Sequence, residues 1–375
     1  MSPPRLVYLV TEDWYFISHR LPMARAAKRA GFEVHVATRV VDHGALIERE
    51  GFVLHPLAWR RGSLDPLHLL SAVREVRAIY RDVRPALAHH VALVPTIVGS
   101  MAGLGLPIVC LNALAGLGYA FTSPTSKAAI IRFTLEHMLH WLLDRKRAAV
   151  LVQNPDDRAA IQSLGISADK ITLIPGSGVD TQALAPLPEP ALPIAAGFVG
   201  RLLTDKGVPT LIAAHELLTR RGEAIALLIA GDPDPANPAS IPETVIDDWK
   251  RHPGVNFLGH VDDIRTLWSK AHIAVLPSLR EGLPLSLLEA AACGRPIVAT
   301  DVPGCREIAR QGINALLVPA QDAEALAGAI GHLAGDSEMR RRFGAAGRAI
   351  VESEFSQERI GHDIVDLYTR LIGPE

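Results

Sequence analysis

Apolar positions along this chain fall into short continuous runs. "RLVYLVT", "EVHVAT", "FVLHPL", "ALAHHV", "PIVCLN" and "AAVLVQN" follow one another through the first half, most of them separated by stretches with helical spacing. Continuous runs of this length predict strands covered on both faces, and their alternation with helices predicts βαβ units in a parallel sheet. The rhythm breaks at "TQALAPLPEPALP", residues 181–193, where four prolines and no strong period exclude a continued helix or sheet. It restarts with "AAGFVGR", "IALLIAG", "VNFLGH", "HIAVLPS", "RPIVATD" and "NALLVPA". The expectation is an α/β protein of two facing Rossmann-like domains, 1–180 and 194–355, each with a mostly parallel sheet covered by helices. Residues 181–193 are expected to be a linker. The last helical segment, 356–375, is expected to cross back to the first domain. Ligands of doubly wound sheets bind beyond the carboxyl ends of the strands, which puts the expected site in the cleft between the domains.

One stretch tests this reading. Val91 to Ser126 holds no Asp, Glu, Lys or Arg, which is long enough on charge alone to span a bilayer. Pro95, Gly103, Gly105 and Pro107 divide it into a helix near 93–103 and a strand near 107–112, the pattern of a buried Rossmann-like unit. The chain of 375 residues, 49% hydrophobic and 21% charged, is long enough for two cores and too apolar for a disordered protein. Its net charge of −2 conceals a polarity: residues 1–150 carry 18 Lys and Arg against 11 Asp and Glu, and the remainder carries 20 against 29. A basic first half suits an anionic partner such as a phospholipid surface or a lipid diphosphate, or it is a scatter of solvated arginines. No run is basic enough to argue for nucleic acid. Cys110, Cys293 and Cys305 lack the spacing of a zinc site or a disulfide framework, which fits a reducing cytoplasm. The start, "MSPPRLVYLVTED", lacks the cationic end and cleavage site of a signal peptide.

Candidate chemistry lies just after strands of the second half. "GFVGRLLTDKG" supplies Gly200, Arg201, Lys206 and Gly207. Glycine admits close approach of backbone to a ligand, arginine offers a planar fork to phosphate oxygens, and lysine adds a mobile charge. Together they would neutralise a diphosphate. In "PSLREGLPLSLLEAAACGRPIVATD" a helix is expected from near Pro284 to before Gly294. Glu281 then lies in the turn and Glu289 within the helix. Free amides near Gly282 and Leu283, with the positive helix end behind them, would face an anion. A carboxylate accepts hydrogen bonds, so neither glutamate is a phosphate ligand. Glu289 suits a ribose diol and Glu281 the hydroxyls of a sugar.

"GFVGRLLTDKG", the two glutamates of "EGLPLSLLE" and "GRPIVATDVPGCREI" resemble the family-4 glycosyltransferases, whose two Rossmann-like domains form the GT-B architecture. The resemblance covers nearly the whole chain and is strongest from 195 to 320. It implies that Arg201 and Lys206 bind the donor diphosphate, that Glu289 holds the ribose, and that Glu281 with the amides near Gly282 and Leu283 orients the donor sugar. It also implies a retaining reaction. The first domain, through "TEDWYFISHRLPMARAAKRAGFEVHVAT", "HHVALVPTIVGS", "AGLGYAFTS" and "VQNPDD", resembles the capsule and O-antigen type enzymes that extend glycans on polyprenyl diphosphate carriers. The chain departs from the broad family in two places. The loop after its first strand has no double glycine, and "LNALAGLGYAF" has no histidine, so His19, Arg20, Asn112 and Gly118 are assigned to the cleft by position alone.

Other features read more simply. "KAAIIRFTLEHMLHWLLDRKR" could rest on a membrane, but the stronger reading is a core helix whose Arg145, Lys146 and Arg147 complement its C-terminal dipole. His89 and His90 are neighbours on a strand, point to opposite faces and cannot share one metal. "GDPDPANP" has an Asp-x-Asp, but its prolines make it a turn; no metal and no cofactor is expected beyond the donor substrate. "AGLG" at 115–118 is too short for a dinucleotide fingerprint, which disfavours a dehydrogenase.

The expected function is transfer of a hexose or N-acetylhexosamine from a nucleoside diphosphate sugar, a UDP-sugar first, to a polyprenyl-diphosphate-linked glycan, at the cytoplasmic face of the inner membrane. A UDP-sugar epimerase of the same fold and a non-catalytic sugar-nucleotide or lipid-binding module are the alternatives. Product analysis without acceptor separates the first, and the intact Arg, Lys, Glu, Glu set argues against the second.

Overall fold

The computed structural model describes residues 3–59, 66–114 and 126–373. The motif "AGLGYAFTS", Gly118 included, lies outside the described residues. The chain divides into two compact units, one of Met1–Ser177 with Gln357–Glu375, the other Gly178–Ser356.

The first unit is built on seven parallel strands: β1 (Arg5–Glu12), β2 (Glu33–Arg39), β3 (Val53–Pro56), β4 (Leu87–Val91), β5 (Val109–Ala113), β6 (Ala148–Val152) and β7 (Ile171–Leu173). Their order is β3-β2-β1-β4-β5-β6-β7. Six coincide with the apolar runs. The seventh, three residues at the sheet edge pairing only with β6, is too short to stand out in the pattern. Every residue of β4 and β6 is buried, which is why β6 reads as an unbroken apolar run and why the two polar residues of β4, His89 and His90, need internal partners. The described part of the uncharged stretch after β4 forms a helix, Leu93–Ala102, and β5 of this sheet. No helix among the described residues is long and apolar enough to cross a membrane.

The helix Gln357–Ile372 packs on this first sheet although the chain reaches it only after leaving the second unit. Ile360, Ile364, Leu367 and Tyr368 recur at helical spacing on one face, all buried against the core that holds Tyr8, Phe16 and Phe32. Burial of each such side chain contributes roughly 2 kcal/mol. The Tyr368 hydroxyl lies 2.7 Å from that of Tyr8 and 2.6 Å from Nδ1 of His89, so a polar clasp fixes the register of that apolar face.

The second unit holds β8 (Ala195–Val199), β9 (Ala226–Ala230), β10 (Val255–Gly259), β11 (Ile273–Leu276), β12 (Ile297–Thr300) and β13 (Ala315–Val318). All are parallel, in the order β10-β9-β8-β11-β12-β13, and each matches an apolar run.

The proline-rich segment 181–193 is not a free linker. Arg348 donates to the carbonyls of Thr181 (2.7 Å) and Leu184 (2.5 Å), and Arg295 to that of Pro188 (2.8 Å). Arg340 meets the Glu189 carboxylate at 2.6 Å. Prolines cannot donate to a ladder, but the carbonyls of the segment still accept, and Arg295 and Arg348 use them to bind it down while Arg340 holds its one carboxylate.

Candidate active site

Strand order in the second unit reverses between β8 and β11, and the loops leaving those two strands carry the sequence candidates. Beyond β8, the Gly200 amide donates to the Ala230 carbonyl at 3.0 Å, so it is committed to the fold and is no ligand donor. The Arg201 guanidinium donates to Asp234 at 2.7 Å. A single 3₁₀ turn, Thr204–Lys206, follows, and Gly207 closes it in the left-handed region at φ 72°. A Cβ on Gly207 would stand 1.9 Å from the Pro277 carbonyl oxygen, so only glycine lets this loop touch the end of β11. The contact is reinforced by the Leu279 amide on the Asp205 carbonyl (2.9 Å) and by the Arg280–Asp205 ion pair (2.8 Å).

These contacts bring Lys206 and Glu281 together across 75 residues of sequence. Nζ lies 2.5 Å from Oε1, and the Ser278 hydroxyl donates to the same oxygen at 2.7 Å. The Glu281 side chain is 9% exposed and that of Lys206 25%, so the lysine forms the open side of the pair. The loop after β12 closes in from the other side. Gly304, at φ 78°, would carry a Cβ only 2.4 Å from the Gly282 carbonyl oxygen and 2.6 Å from that of Glu281.

The helix expected near Pro284 spans Leu285–Ala292 with Pro284 as its N-cap, and no side chain caps it. The Leu283 amide, just before it, has no acceptor among the described residues. Glu289 sits one turn into this helix and is half-buried. Its carboxyl makes no hydrogen bond or ion pair among the described residues, and burial pushes its pKa up to about 8. It is an acceptor without a donor, eight residues beyond Glu281 in sequence.

Three features of this junction were not singled out from the residues. Asp234, in the Asp-x-Asp read as a turn, holds Arg201; Ser278 orients Glu281; and Asp205 with Arg280 ties the loops. Asp234 and Ser278 carried a signal, through their places just after strands.

The first unit corrects one position. Asn112 is fully buried and does not line a cleft: its amide serves the Cys110 and Ala149 carbonyls, and its oxygen lies 2.8 Å from Nδ1 of His90 and accepts the Ser100 hydroxyl. It is a strand-to-strand clasp. His89 and His90 do face opposite ways, one toward Tyr368 and the other toward Tyr80 and Asn112. Burial holds both imidazoles below the ordinary histidine value, His90 at about 4. His19 stacks on Tyr15 with ring centroids 4.3 Å apart, and Arg20 is buried. Asp13 is fully buried; burial alone would raise its pKa, but amides of His43, Val41, Trp14 and Asp42 outweigh that and hold it below the usual value.

Two doubly wound parallel units in one chain, the second with its polar cluster at the point of strand-order reversal, are the architecture of the GT-B glycosyltransferases. The family "Glycosyl transferase 4-like" matches residues 5–154, and "Glycosyl transferases group 1" matches residues 193–336. The chain is 25% identical to EpsD of Bacillus subtilis, named as a glycosyltransferase, over 97% of its own length and 96% of EpsD. It is 24% identical to N,N'-diacetylbacillosaminyl-diphospho-undecaprenol alpha-1,3-N-acetylgalactosaminyltransferase of Campylobacter jejuni, covering 95% and 98% of the two chains. Among solved structures, sucrose-phosphate synthase of Thermosynechococcus elongatus superposes with a TM-score of 0.81 at 24% identity, covering 98% of this chain and 99% of that one. Anabaena HepE in complex with UDP and glucose superposes at 0.76 and 19% identity, covering 96% and 98%. The chain belongs to the family-4 glycosyltransferases of GT-B fold, alongside enzymes of the capsule and O-antigen type.

Proposed function

We propose that the protein is a retaining enzyme that moves a hexose or N-acetylhexosamine from a UDP-sugar to a hydroxyl of a polyprenyl-diphosphate-linked glycan in cell-surface polysaccharide synthesis. The observation that carries this reading is the Lys206–Glu281 junction at the strand-order reversal, with the partnerless Glu289 carboxyl one turn into the helix that follows. In this reading the donor diphosphate takes Arg201, Lys206 and the Leu283 amide as its counter-charges, the sugar hydroxyls donate to Glu281, and the ribose diol donates to Glu289. Gly200 and Gly282 shape the walls of the site.

The chemistry follows from charge. As the bond from the anomeric carbon to the phosphate oxygen breaks, negative charge grows on the departing diphosphate, and cations already fixed nearby oppose it without reorganisation. The departing oxygen takes the proton of the acceptor hydroxyl while that hydroxyl's oxygen bonds to the anomeric carbon on the same face. No side chain acts as general base, and Arg201 and Lys206 supply the charge that a metal would otherwise supply.

Two relatives support the substrate classes: the Campylobacter enzyme by its name acts on an undecaprenol diphosphate glycan, and HepE is solved with UDP-glucose. Peripheral contact with the cytoplasmic face of the membrane is supported by the helix Ser126–Leu143. Its inner residues Leu139, Leu142 and Leu143 are buried, which agrees with a core helix, but Phe133 (62% exposed), His137 and Trp141 (55%) form an outward ridge. Arg145 lies over the Trp141 ring at 5.4 Å, and Lys146 and Arg147 are exposed beside it. Aromatic rings next to cations suit an anionic lipid interface.

The test is incubation of the purified protein with nucleotide sugars and lipid diphosphate-linked acceptors, followed by mass analysis and assignment of the new linkage by NMR. The reading expects a lipid product longer by one sugar whose anomeric configuration matches the donor. An inverted linkage overturns retention, and a UDP-sugar epimer formed without acceptor replaces the transferase reading altogether.

A further inference from the structure

Arg20 is 2% exposed, yet no acidic side chain among the described residues pairs with it. One terminal nitrogen donates to the His19 carbonyl (3.0 Å) and to the Ser177 hydroxyl (3.3 Å), while Nε is sealed from solvent with no acceptor. The nearby acids in sequence are committed elsewhere, Glu12 to Arg39 and Asp13 to backbone amides. A permanent cation removed from water without a counter-ion is costly, and such a position persists where an anion completes it.

A second unsatisfied nitrogen lies in the same neighbourhood. His89 is fully buried, its Nδ1 engages the Tyr368 hydroxyl at 2.6 Å, and its Nε2 is sealed without a partner. Tyr8, which pairs in register with His89, reaches the same Tyr368 hydroxyl at 2.7 Å. With the hydrogen bonds directed from Tyr8 to Tyr368 and from Tyr368 to Nδ1, the remaining proton of the neutral imidazole sits on Nε2. The field of Arg20 reaches Tyr8, His89 and Tyr368 alike. Arg20 follows β1, and His89 lies on β4, the two strands between which the order of the first sheet reverses.

We propose that Arg20 and His89 form an oxyanion receptor in the first unit, where a diphosphate oxygen of a substrate accepts the two N–H groups that the protein leaves open. A buried water would satisfy the hydrogen bonds but leave the charge uncompensated, which favours an anion. The chemistry is that of a diphosphate, either of the acceptor lipid or of the donor nucleotide, and it rests on the transfer reading above for the substrates that carry it.

The experiment reads binding and is independent of turnover. In the full chain carrying Arg201→Ala and Lys206→Ala, which removes competing cations of the second unit, inorganic pyrophosphate, farnesyl diphosphate and UDP are titrated by calorimetry. The same titrations are run after adding Arg20→Met or Arg20→Lys. The proposal expects at least a tenfold loss of affinity in Arg20→Met, with unchanged or raised thermal stability because an uncompensated charge has gone, and partial recovery in Arg20→Lys. Loss confined to farnesyl diphosphate and pyrophosphate assigns the acceptor as the source, and loss confined to UDP assigns the donor. Affinities within twofold in both Arg20 variants, or no diphosphate binding at millimolar concentration before Arg20 is changed, overturn it. Failure of the transfer reading shows instead as absent glycosyl product with these binding results intact.

Discussion

Replacing Glu289 with Gln should stabilise the second unit at alkaline pH and weaken nucleotide binding at the same time. Burial lifts this carboxyl from the ordinary glutamate value of 4.5 to about 8. At 1.36 kcal/mol per unit the full displacement corresponds to about 5 kcal/mol. The side chain keeps part of its surface open, and screening there reduces the expected effect to about 2 kcal/mol. Below pH 4.5 the folded and unfolded chains both hold the proton and there is no penalty. Between 4.5 and about 8 the unfolded chain releases it first, so stability declines as pH rises, and above 8 both states are ionised and the penalty is complete. For a unit of this size the gain in Glu289→Gln at pH 8.5 is roughly 4–8 °C in Tm, and it vanishes toward pH 4.5. Thermal unfolding of the wild type and the variant at pH 5 and 8.5, followed by circular dichroism, measures it. A ribose diol donating into the carboxylate favours the ionised form, so wild-type affinity for UDP should climb with pH up to about 8, and that of the variant should be flat and weaker. Equal Tm differences at the two pH values, or a variant less stable at pH 8.5, refute the account of an unsupported buried carboxyl.

Lys206→Ala should lower turnover by about 10²–10³, the usual cost of losing one preorganised charge at a developing anion; steady-state rates within threefold of wild type would exclude Lys206 from the chemistry. Gly207→Ala should cost more than about 2 kcal/mol, because the new Cβ must push aside the Pro277 carbonyl from a left-handed backbone position. Urea unfolding checks it, and a neutral effect would mean that the two loops are not held together as described. Phe133→Ser with Trp141→Ser should leave Tm unchanged and reduce flotation with phosphatidylglycerol vesicles about tenfold, since two aromatic anchors leave an already exposed ridge; undiminished flotation would place the membrane contact elsewhere.

What could be read from the residues is what physics keeps local. A parallel strand buried on both faces must be a short apolar run, and twelve such runs were visible; β7, three residues on an edge, has too little buried surface to leave one. The segment 181–193 showed what it could not be, a helix or strand, but its anchoring depends on Arg295, Arg340 and Arg348, more than a hundred residues away. Likewise, residue type placed Arg201, Lys206, Glu281 and Glu289 near one another, because each lies in a loop or first turn directly beyond a strand. Which carboxylate meets which cation was set by strand order: Asp234 takes Arg201 because β9 lies beside β8, and Glu281 takes Lys206 because β11 lies on the other side.

The polar residues of the first unit differ in what their partners are, not in where they stand along the chain. A polar residue after a strand looks the same in sequence whether it faces a ligand or a neighbouring strand. Asn112 and Arg20 were both assigned to a cleft by position, yet Asn112 satisfies its amide and its oxygen from four other residues, whereas Arg20 leaves Nε open and its charge unbalanced. Hydrogen-bond accounting separates them: a buried polar group whose partners are all internal belongs to the fold, and one left short is where the fold has kept a place for something else. In the second unit that criterion selects Glu289, and in the first Arg20 and His89, one an acceptor without donors and the others donors without an acceptor.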